Sequence, residues 1–354
     1  MWRPPRSKHA LCLAAAGAAL AVCAMAAQQA TPQRGATFRT ASRTVAIYTT
    51  VTAPDGHLAT DLHKDDFEVY DDGKRQEMSL FANDVQPITI VSMLDLSGSM
   101  SGNIPLLRRA GAQLASHLSK DDRARFGEFG DHVNIVTPAF TNDVNELIRN
   151  LWLDLEPGGA TPLWNAIDVA MNALADQPGR RVVLVFTDGY DTNSNVVTLA
   201  ADVKRAQEED FMIYAVGLCS SDGGLPSLSG SGFGGGGFAG RRPGLGGARG
   251  GGGAGSGARG AGFGDRPDPG LKTISEESGG GYLELKAATE LDAAFTRVVE
   301  ELHHQYILGF VPGVLDGRLH KIDVRVKTPG LTARARKSYL AAPETSGGLG
   351  LVRK

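Results

Sequence analysis

The chain has 354 residues, more than one compact domain usually holds, so two domains or one domain with appendages is the starting expectation. Hydrophobic residues at 42% and charged residues at 21% are the balance of a soluble globular protein. The formal net charge of −3 becomes −6 once Arg3, Arg6 and Lys8 are removed with the leader described next, which argues against general nucleic-acid binding.

Those three basic residues precede an apolar run over residues 10–22 and then Ala24, Met25 and Ala26. A basic start, a short apolar stretch and an Ala-x-Ala site predict a secretory signal peptide over residues 1–26. The mature chain is then exported, either periplasmic or secreted. The other reading is an uncleaved membrane anchor, because the apolar stretch is near the lower limit for spanning. Cys12 and Cys23 leave with the leader, so Cys219 is the only mature cysteine and an intramolecular disulfide is excluded. Cys219 follows a strand over 211–218 and is expected to be a buried packing residue. No Ser-His-Asp or Cys-His arrangement can be assembled from the rest.

Residues 44–51 alternate as a strand does, and Pro54, Asp55 and Gly56 make a turn. Residues 62–81 alternate on both sides of Asp72–Gly73, a hairpin signal, and the acids there read as turn and solvent-face charges. An apolar run over 88–94 then ends in Asp95, followed by Ser97, Gly98 and Ser99. This predicts a buried parallel strand that delivers a carboxylate and two hydroxyls to the carboxyl edge of a sheet, where α/β folds bind ligands. Alternation places the three side chains on one side, and Gly98 lets the backbone curl so that their oxygens converge. Such a donor set, without Cys or His, suits Mg²⁺, Mn²⁺ or Ca²⁺ rather than zinc.

Leu107, Ala110, Gly111, Leu114, Ala115 and Leu118 form one face of a helix. Strands are expected over 123–129 and 132–140, with a short helix over 144–151. Gly158, Gly159, Ala160 and Thr161 open another helix, with Thr161 at the cap and Pro162 as the first helical residue. Residues 182–187 repeat the earlier pattern: a continuous apolar strand, then Asp188 and Gly189. Strands alternating with helices of this length predict an α/β fold with a doubly wound, mostly parallel sheet.

Residues 220–269 collapse into Gly, Ala, Ser and Arg and are expected to be a disordered insertion. Arg241, Arg242, Arg249 and Arg259 beside glycines are similar to RNA-binding tracts, a role that export disfavours. A helix over 271–278 and a strand over 281–285 follow. Thr289 is expected to cap a last helix ending in His303 and His304, read as cationic helix-end residues. Residues 305–311, 319–327 and 331–340 alternate as a β-meander too small to fold alone. The N-terminal strands have the same shortfall. Residues 38–86 and 305–340 are therefore expected to pair as one small β-sandwich-like domain, with residues 87–304 inserted and 341–354 as a flexible tail.

Asp95-x-Ser97-x-Ser99, then Thr161, then Asp188, in this order and on these elements, resembles the metal-ion-dependent adhesion site of von Willebrand factor type A domains. The resemblance implies a Rossmann-like domain. It also implies an ion held by the hydroxyls of Ser97, Ser99 and Thr161 and, directly or through water, by Asp95 and Asp188. In that family the ion binds a protein partner through an Asp or Glu carboxylate. The segment from Asp65 to Lys74 and the run Gln305-Tyr306-Ile307-Leu308-Gly309 further resemble the bacterial VWFA-related (Acidobacterial-type) family of secreted proteins, over about residues 38–340 apart from the insertion. The resemblance implies adhesion or assembly without catalysis. An envelope scaffold with a non-essential metal site and a metal-dependent hydrolase are the alternatives; the latter has no general base at a defined spacing.

Overall fold

The computed structural model describes residues 44–152, 157–219 and 266–343. The signal peptide expected over residues 1–26, all but the last residues of the glycine-rich insertion and most of the tail expected over 341–354 lie outside the described residues.

In chain order the first strands are β1 (Val45–Thr52), β2 (Phe67–Asp71), β3 (Lys74–Gln76) and β4 (Met78–Ala82). The apolar run becomes β5 (Ile88–Asp95), every residue of which is buried. Then come α1 (Ile104–His117), β6 (Arg123–Phe129), β7 (Val133–Ile135), α2 (Val144–Trp152) and α3 (Leu163–Leu174). The second apolar run is β8 (Arg180–Thr187), followed by α4 (Leu199–Glu209), β9 (Phe211–Leu218), α5 (Pro269–Ser278), β10 (Tyr282–Leu285) and α6 (Leu291–His303). The chain closes with β11 (Tyr306–Phe310), β12 (Leu319–Val326), β13 (Thr332–Arg334) and β14 (Ser338–Leu340).

The central sheet has the order β10-β9-β8-β5-β6-β7, parallel except for β7, which runs against β6. Period-2 alternation splits its apolar residues between two cores. Ile90, Leu94, Leu184, Phe186 and Tyr214 pack with residues of α1, α2 and α6. Val91, Met93, Val183, Val185 and Ile213 pack with residues of α3, α4 and α5 on the other side. Burial on both faces is why these strands are continuous apolar runs rather than alternating ones. The strand expected over 132–140 is cut short at Ile135: the Thr137 hydroxyl accepts the Phe126 N–H at 2.9 Å, so the ladder cannot continue. No helix among the described residues is long and apolar enough to cross a membrane.

The remaining strands form two four-stranded sheets, β13-β1-β11-β4 and β14-β12-β2-β3. They share a core that includes Ile47, Phe67, Val69, Tyr306, Leu308, Phe310 and Tyr339. Each sheet mixes strands from before and after the α/β body, since Val45 pairs with Phe310 and Phe67 with Val326. The C-terminal strands are not a meander: β11 pairs with β1 and β4, and β12 with β2 and β14. The stretch 331–340 divides into β13 and β14 in different sheets. Between them the Lys337 N–H turns to the Glu277 carbonyl at 3.1 Å and the Arg336 guanidinium to the Ala46 carbonyl at 2.6 Å.

One buried acid is expected to make the stability depend on pH. Asp202, in the first turn of α4, is 1% exposed, and its Oδ2 makes no hydrogen bond. Burial foremost, then the Asp168 and Asp191 carboxylates, push its pKa up to about 8, with Arg205 opposing. The folded chain therefore keeps a proton that the unfolded chain releases near the ordinary carboxylate pKa of about 4. Between those values the native state binds more protons, so stability falls as pH rises toward about 8. Asp202→Asn is expected to flatten this slope and raise the melting temperature on the alkaline side by a few degrees. Thermal unfolding across a pH series checks it; identical pH profiles for the two proteins would contradict it.

Candidate metal centre

β5 and β8 lie side by side, with Leu94 opposite Phe186, while β6 leaves on the other side of β5. The winding direction of the sheet thus reverses between β5 and β8, the place where open α/β sheets bind ligands. Asp95 ends β5 and Asp188 immediately follows β8, so both carboxylates reach this point. The Asp95 Oδ1 accepts the Ser97 N–H at 2.7 Å, which turns the chain back over the strand end. The Ser97 and Ser99 hydroxyls then lie 3.1 Å apart, and Ser99 donates to Asp188 Oδ1 at 2.7 Å.

The glycine-rich loop before α3 docks on this turn: Gly158 N–H donates to the Leu96 carbonyl at 2.7 Å, and Gly98 N–H to the Gly159 carbonyl at 3.3 Å. Gly159 is required there, since its φ is +78° and a Cβ would fall 2.0 Å from Asp131 Oδ1. Thr161 is held by two bonds to Thr192, its N–H donating to Thr192 Oγ1 at 2.8 Å and its carbonyl accepting the Thr192 N–H at 3.0 Å. Its hydroxyl lies over Gly189, 3.4 Å from where a Cβ on that residue would stand. All five residues singled out in the sequence therefore meet at one edge of the sheet.

Thr161 does not cap α3, contrary to the sequence expectation; Pro162 occupies the cap position and makes no side-chain cap bond. The cap comes from another loop. Asp191 Oδ1 accepts the Leu163 N–H at 3.0 Å, and Ser194 Oγ accepts those of Trp164 and Asn165 at 2.9 and 3.1 Å. This leaves the Thr161 hydroxyl available to the site. Asp268, the residue before α5, joins the same loop, donating its N–H to the Gly189 carbonyl and accepting the Asp191 N–H, each at 3.2 Å. Thr187 supports the site from beneath: it donates to Asp95 Oδ2 and accepts the Gly189 N–H. Sequence reasoning missed Thr187, Asp191, Ser194 and Asp268. The polar run from Asp188 to Asn195 straight after a buried strand was the available signal.

Burial pushes the Asp95 carboxyl up to about 6; hydrogen bonds from Ser97 and Thr187 oppose this, and the Asp188 charge adds to it. Asp188 is likewise raised by burial, with the Ser99 hydrogen bond opposing. Two carboxylates held together out of water, with no basic partner among the described residues, favour a cation between them. The donor set fits one: oxygens 2.7 and 3.1 Å apart bracket the spacing of about 2.9 Å between neighbouring ligands of an octahedral ion with bonds near 2.1 Å.

Other residues noted in the sequence lie elsewhere. Cys219 is half-buried rather than a packing residue, with its Sγ 3.2 Å from Glu284 Oε1, because it stands one residue past the end of β9. Thr289 precedes the cap position of α6, which Glu290 occupies. His303 ends α6 with its side chain turned inward, its Nε2 2.8 Å from the fully buried Asp122, whose Oδ1 accepts the first N–H of β5. His304 turns back to the Glu300 carbonyl at 2.8 Å.

Residues 89–229 match the family model of the von Willebrand factor type A domain. The matched stretch runs from β5 past the end of β9 and holds most of the doubly wound sheet, with helices on both of its faces. Among solved structures it is similar to an aerotolerance-related membrane protein from Bacteroides fragilis, at 18% identity over 60% of this chain and 99% of that one, TM-score 0.41. It is also similar to a von Willebrand factor type A protein from Catenulispora acidiphila, at 10% identity over 86% and 75%, TM-score 0.45. A third is proximal thread matrix protein 1 from the mussel byssus, whose adhesion-site motif is occupied by zinc, at 13% identity over 64% and 48%, TM-score 0.43. No curated protein matches the sequence.

Proposed function

We propose that Asp95, Ser97, Ser99, Thr161 and Asp188 hold one divalent cation, Mg²⁺ or in its place Mn²⁺ or Ca²⁺, and that the ion binds a carboxylate of a protein partner. The observation that carries this is the meeting of Asp95 and Asp188 at the reversal between β5 and β8, with the Ser99 hydroxyl bonded to Asp188 at 2.7 Å. Three of the five ligands are neutral hydroxyls, so the ion keeps much of its charge. Mg²⁺ completes its octahedron with waters, and an Asp or Glu side chain of the partner can replace one of them. The role is adhesion or assembly outside the cytoplasm, in keeping with the leader-like segment at residues 1–26, and it requires binding rather than turnover.

The test is capture of partners from an envelope extract of the parent cell, with Mg²⁺ and with a chelator. Binding lost on chelation, without turnover of any bound material, supports the proposal. Capture that chelation leaves unchanged favours an envelope scaffold, and turnover favours a hydrolase.

A further inference from the structure

We propose that Asp71, Asp72 and His320 form a further metal site, on the β-sheets rather than the α/β body, that takes a first-row divalent transition ion such as Zn²⁺. These acids read in the sequence as turn and solvent-face charges, yet Asp71 is 8% exposed and the His320 side chain 11%.

Two strands and a turn build the site. Asp71 ends β2 and pairs in register with Ile322 of β12, which brings it beside His320. The two-residue turn Asp72–Gly73 has φ of +47° and +78°, the both-positive geometry of the tightest hairpins, and this aims Asp72 across the strand end. One ligand atom from each residue lies within 4.8 Å of the other two. His320 Nδ1 stands 3.0 Å from Asp71 Oδ1 and 3.4 Å from Asp72 Oδ2. Ligands at about 2.0–2.2 Å from a shared ion stand about 2.9–3.5 Å apart between octahedral and tetrahedral angles, so both spacings fit one centre.

The far side of each ligand is occupied, as the outer contacts of metal ligands are. Asp316 Oδ1 lies 3.2 Å from His320 Nε2, so with the proton on Nε2 the Nδ1 lone pair would face the centre. Tyr339 donates its hydroxyl to Asp71 Oδ2 at 3.1 Å, and the Lys321 N–H donates to Asp72 Oδ1 at 2.9 Å. Charge points the same way. Three carboxylates surround one imidazole, and the nearby Arg318 only reaches Asp316 at 4.0 Å with a side chain 84% exposed. Asp71 is the buried carboxylate of the three, with Asp72 at the rim at 59% exposure, and a divalent ion would compensate the buried charge.

Imidazole selects zinc and its neighbours over Mg²⁺ and Ca²⁺, and three protein ligands leave a position for water. His320 also lines a groove of about 820 Å³ shared with Gln207 and Lys337, which gives an ion a route in. Once bound, the ion would tie the β2–β3 turn to a histidine 249 residues later, joining the two chain segments that build these sheets.

The test uses the full chain carrying Asp188→Ala, so that the proposed adhesion site does not contribute. Zn²⁺ is titrated calorimetrically and Co²⁺ is followed by its visible absorption. One equivalent is expected to bind and to raise the melting temperature. Asp316→Asn is expected to weaken binding about 10–100-fold, as loss of an outer partner does. His320→Gln, which keeps a polar side chain of similar reach, is expected to abolish binding while the protein remains folded by circular dichroism. No uptake by the Asp188→Ala protein, or uptake unchanged by His320→Gln, would overturn the proposal and leave His320 as an imidazolium paired with its carboxylates.

Discussion

Asp188→Ala is expected to abolish Mg²⁺ and Mn²⁺ binding at the proposed adhesion site while the metal-free protein melts no lower than the wild type. Asp188 is buried and follows β8 rather than lying within it, so its removal deletes a charged ligand without opening the strand ladder. Loss of that charge should cost about 100-fold or more in affinity, because ligand charge count sets affinity at such oxygen sites. The metal-free chain loses repulsion instead: the Asp188 charge raises the Asp95 carboxyl, and that strain disappears with it. Ser99 loses its 2.7 Å acceptor but sits at the exposed rim, where water can replace it. Ser97→Ala should weaken binding less than Asp188→Ala, since water can stand in for a neutral hydroxyl. Calorimetric titration of both ions into the three proteins measures this, and an Asp188→Ala protein that binds as wild type does would contradict it.

The second large effect is expected from Glu301→Ala, far from the proposed metal. Glu301 is 2% exposed on α6 and accepts from Arg334 of β13, from Arg297 at 3.3 Å and from the Tyr214 hydroxyl at 3.4 Å. Tyr214 accepts from Gln305 at 3.3 Å; Gln305 in turn donates to Thr50 of β1 at 2.7 Å and accepts from the buried Arg180. This chain of bonds joins the last helix of the α/β body to the flanking sheets. Removing Glu301 strands Arg334 beside Tyr214 without its counter-charge. The cost of breaking such a pair is about 3–5 kcal/mol when fully buried, and about 2–4 kcal/mol here because the Arg334 side chain is 29% exposed. That corresponds to a melting temperature roughly 10 °C lower. Glu301→Gln keeps an acceptor for Tyr214 and should lose less. Thermal unfolding by circular dichroism decides it; an unchanged midpoint for Glu301→Ala would mean that the network adds nothing.

What was legible in the sequence followed from local rules. The runs ending at Asp95 and at Thr187 had to be buried strands, and an acid at the end of each had to reach the same sheet edge. Helix faces such as Leu107, Ala110, Gly111 and Leu114 were legible for the same reason, and all four are buried. What was not legible depends on partners remote in the chain. The N-terminus of α3 is capped by Ser194, 30 residues beyond Trp164, so local cap signals pointed to Thr161 instead. Asp71 looked like a hairpin surface charge because His320 and Tyr339, which cover it, lie on strands near the C-terminal end. The stretch 331–340 alternates throughout, and nothing in that alternation shows that β13 and β14 belong to different sheets.

The most direct test of the central claim is the anomalous diffraction of a crystal soaked in Mn²⁺. The expected result is a peak within bonding distance of the Ser97 and Ser99 hydroxyls, on the side where Asp95, Thr161 and Asp188 converge, with at least one water completing the coordination. A Mn²⁺ peak that appears only elsewhere, or none at any soaking concentration that the Asp188→Ala crystal distinguishes from wild type, would contradict it.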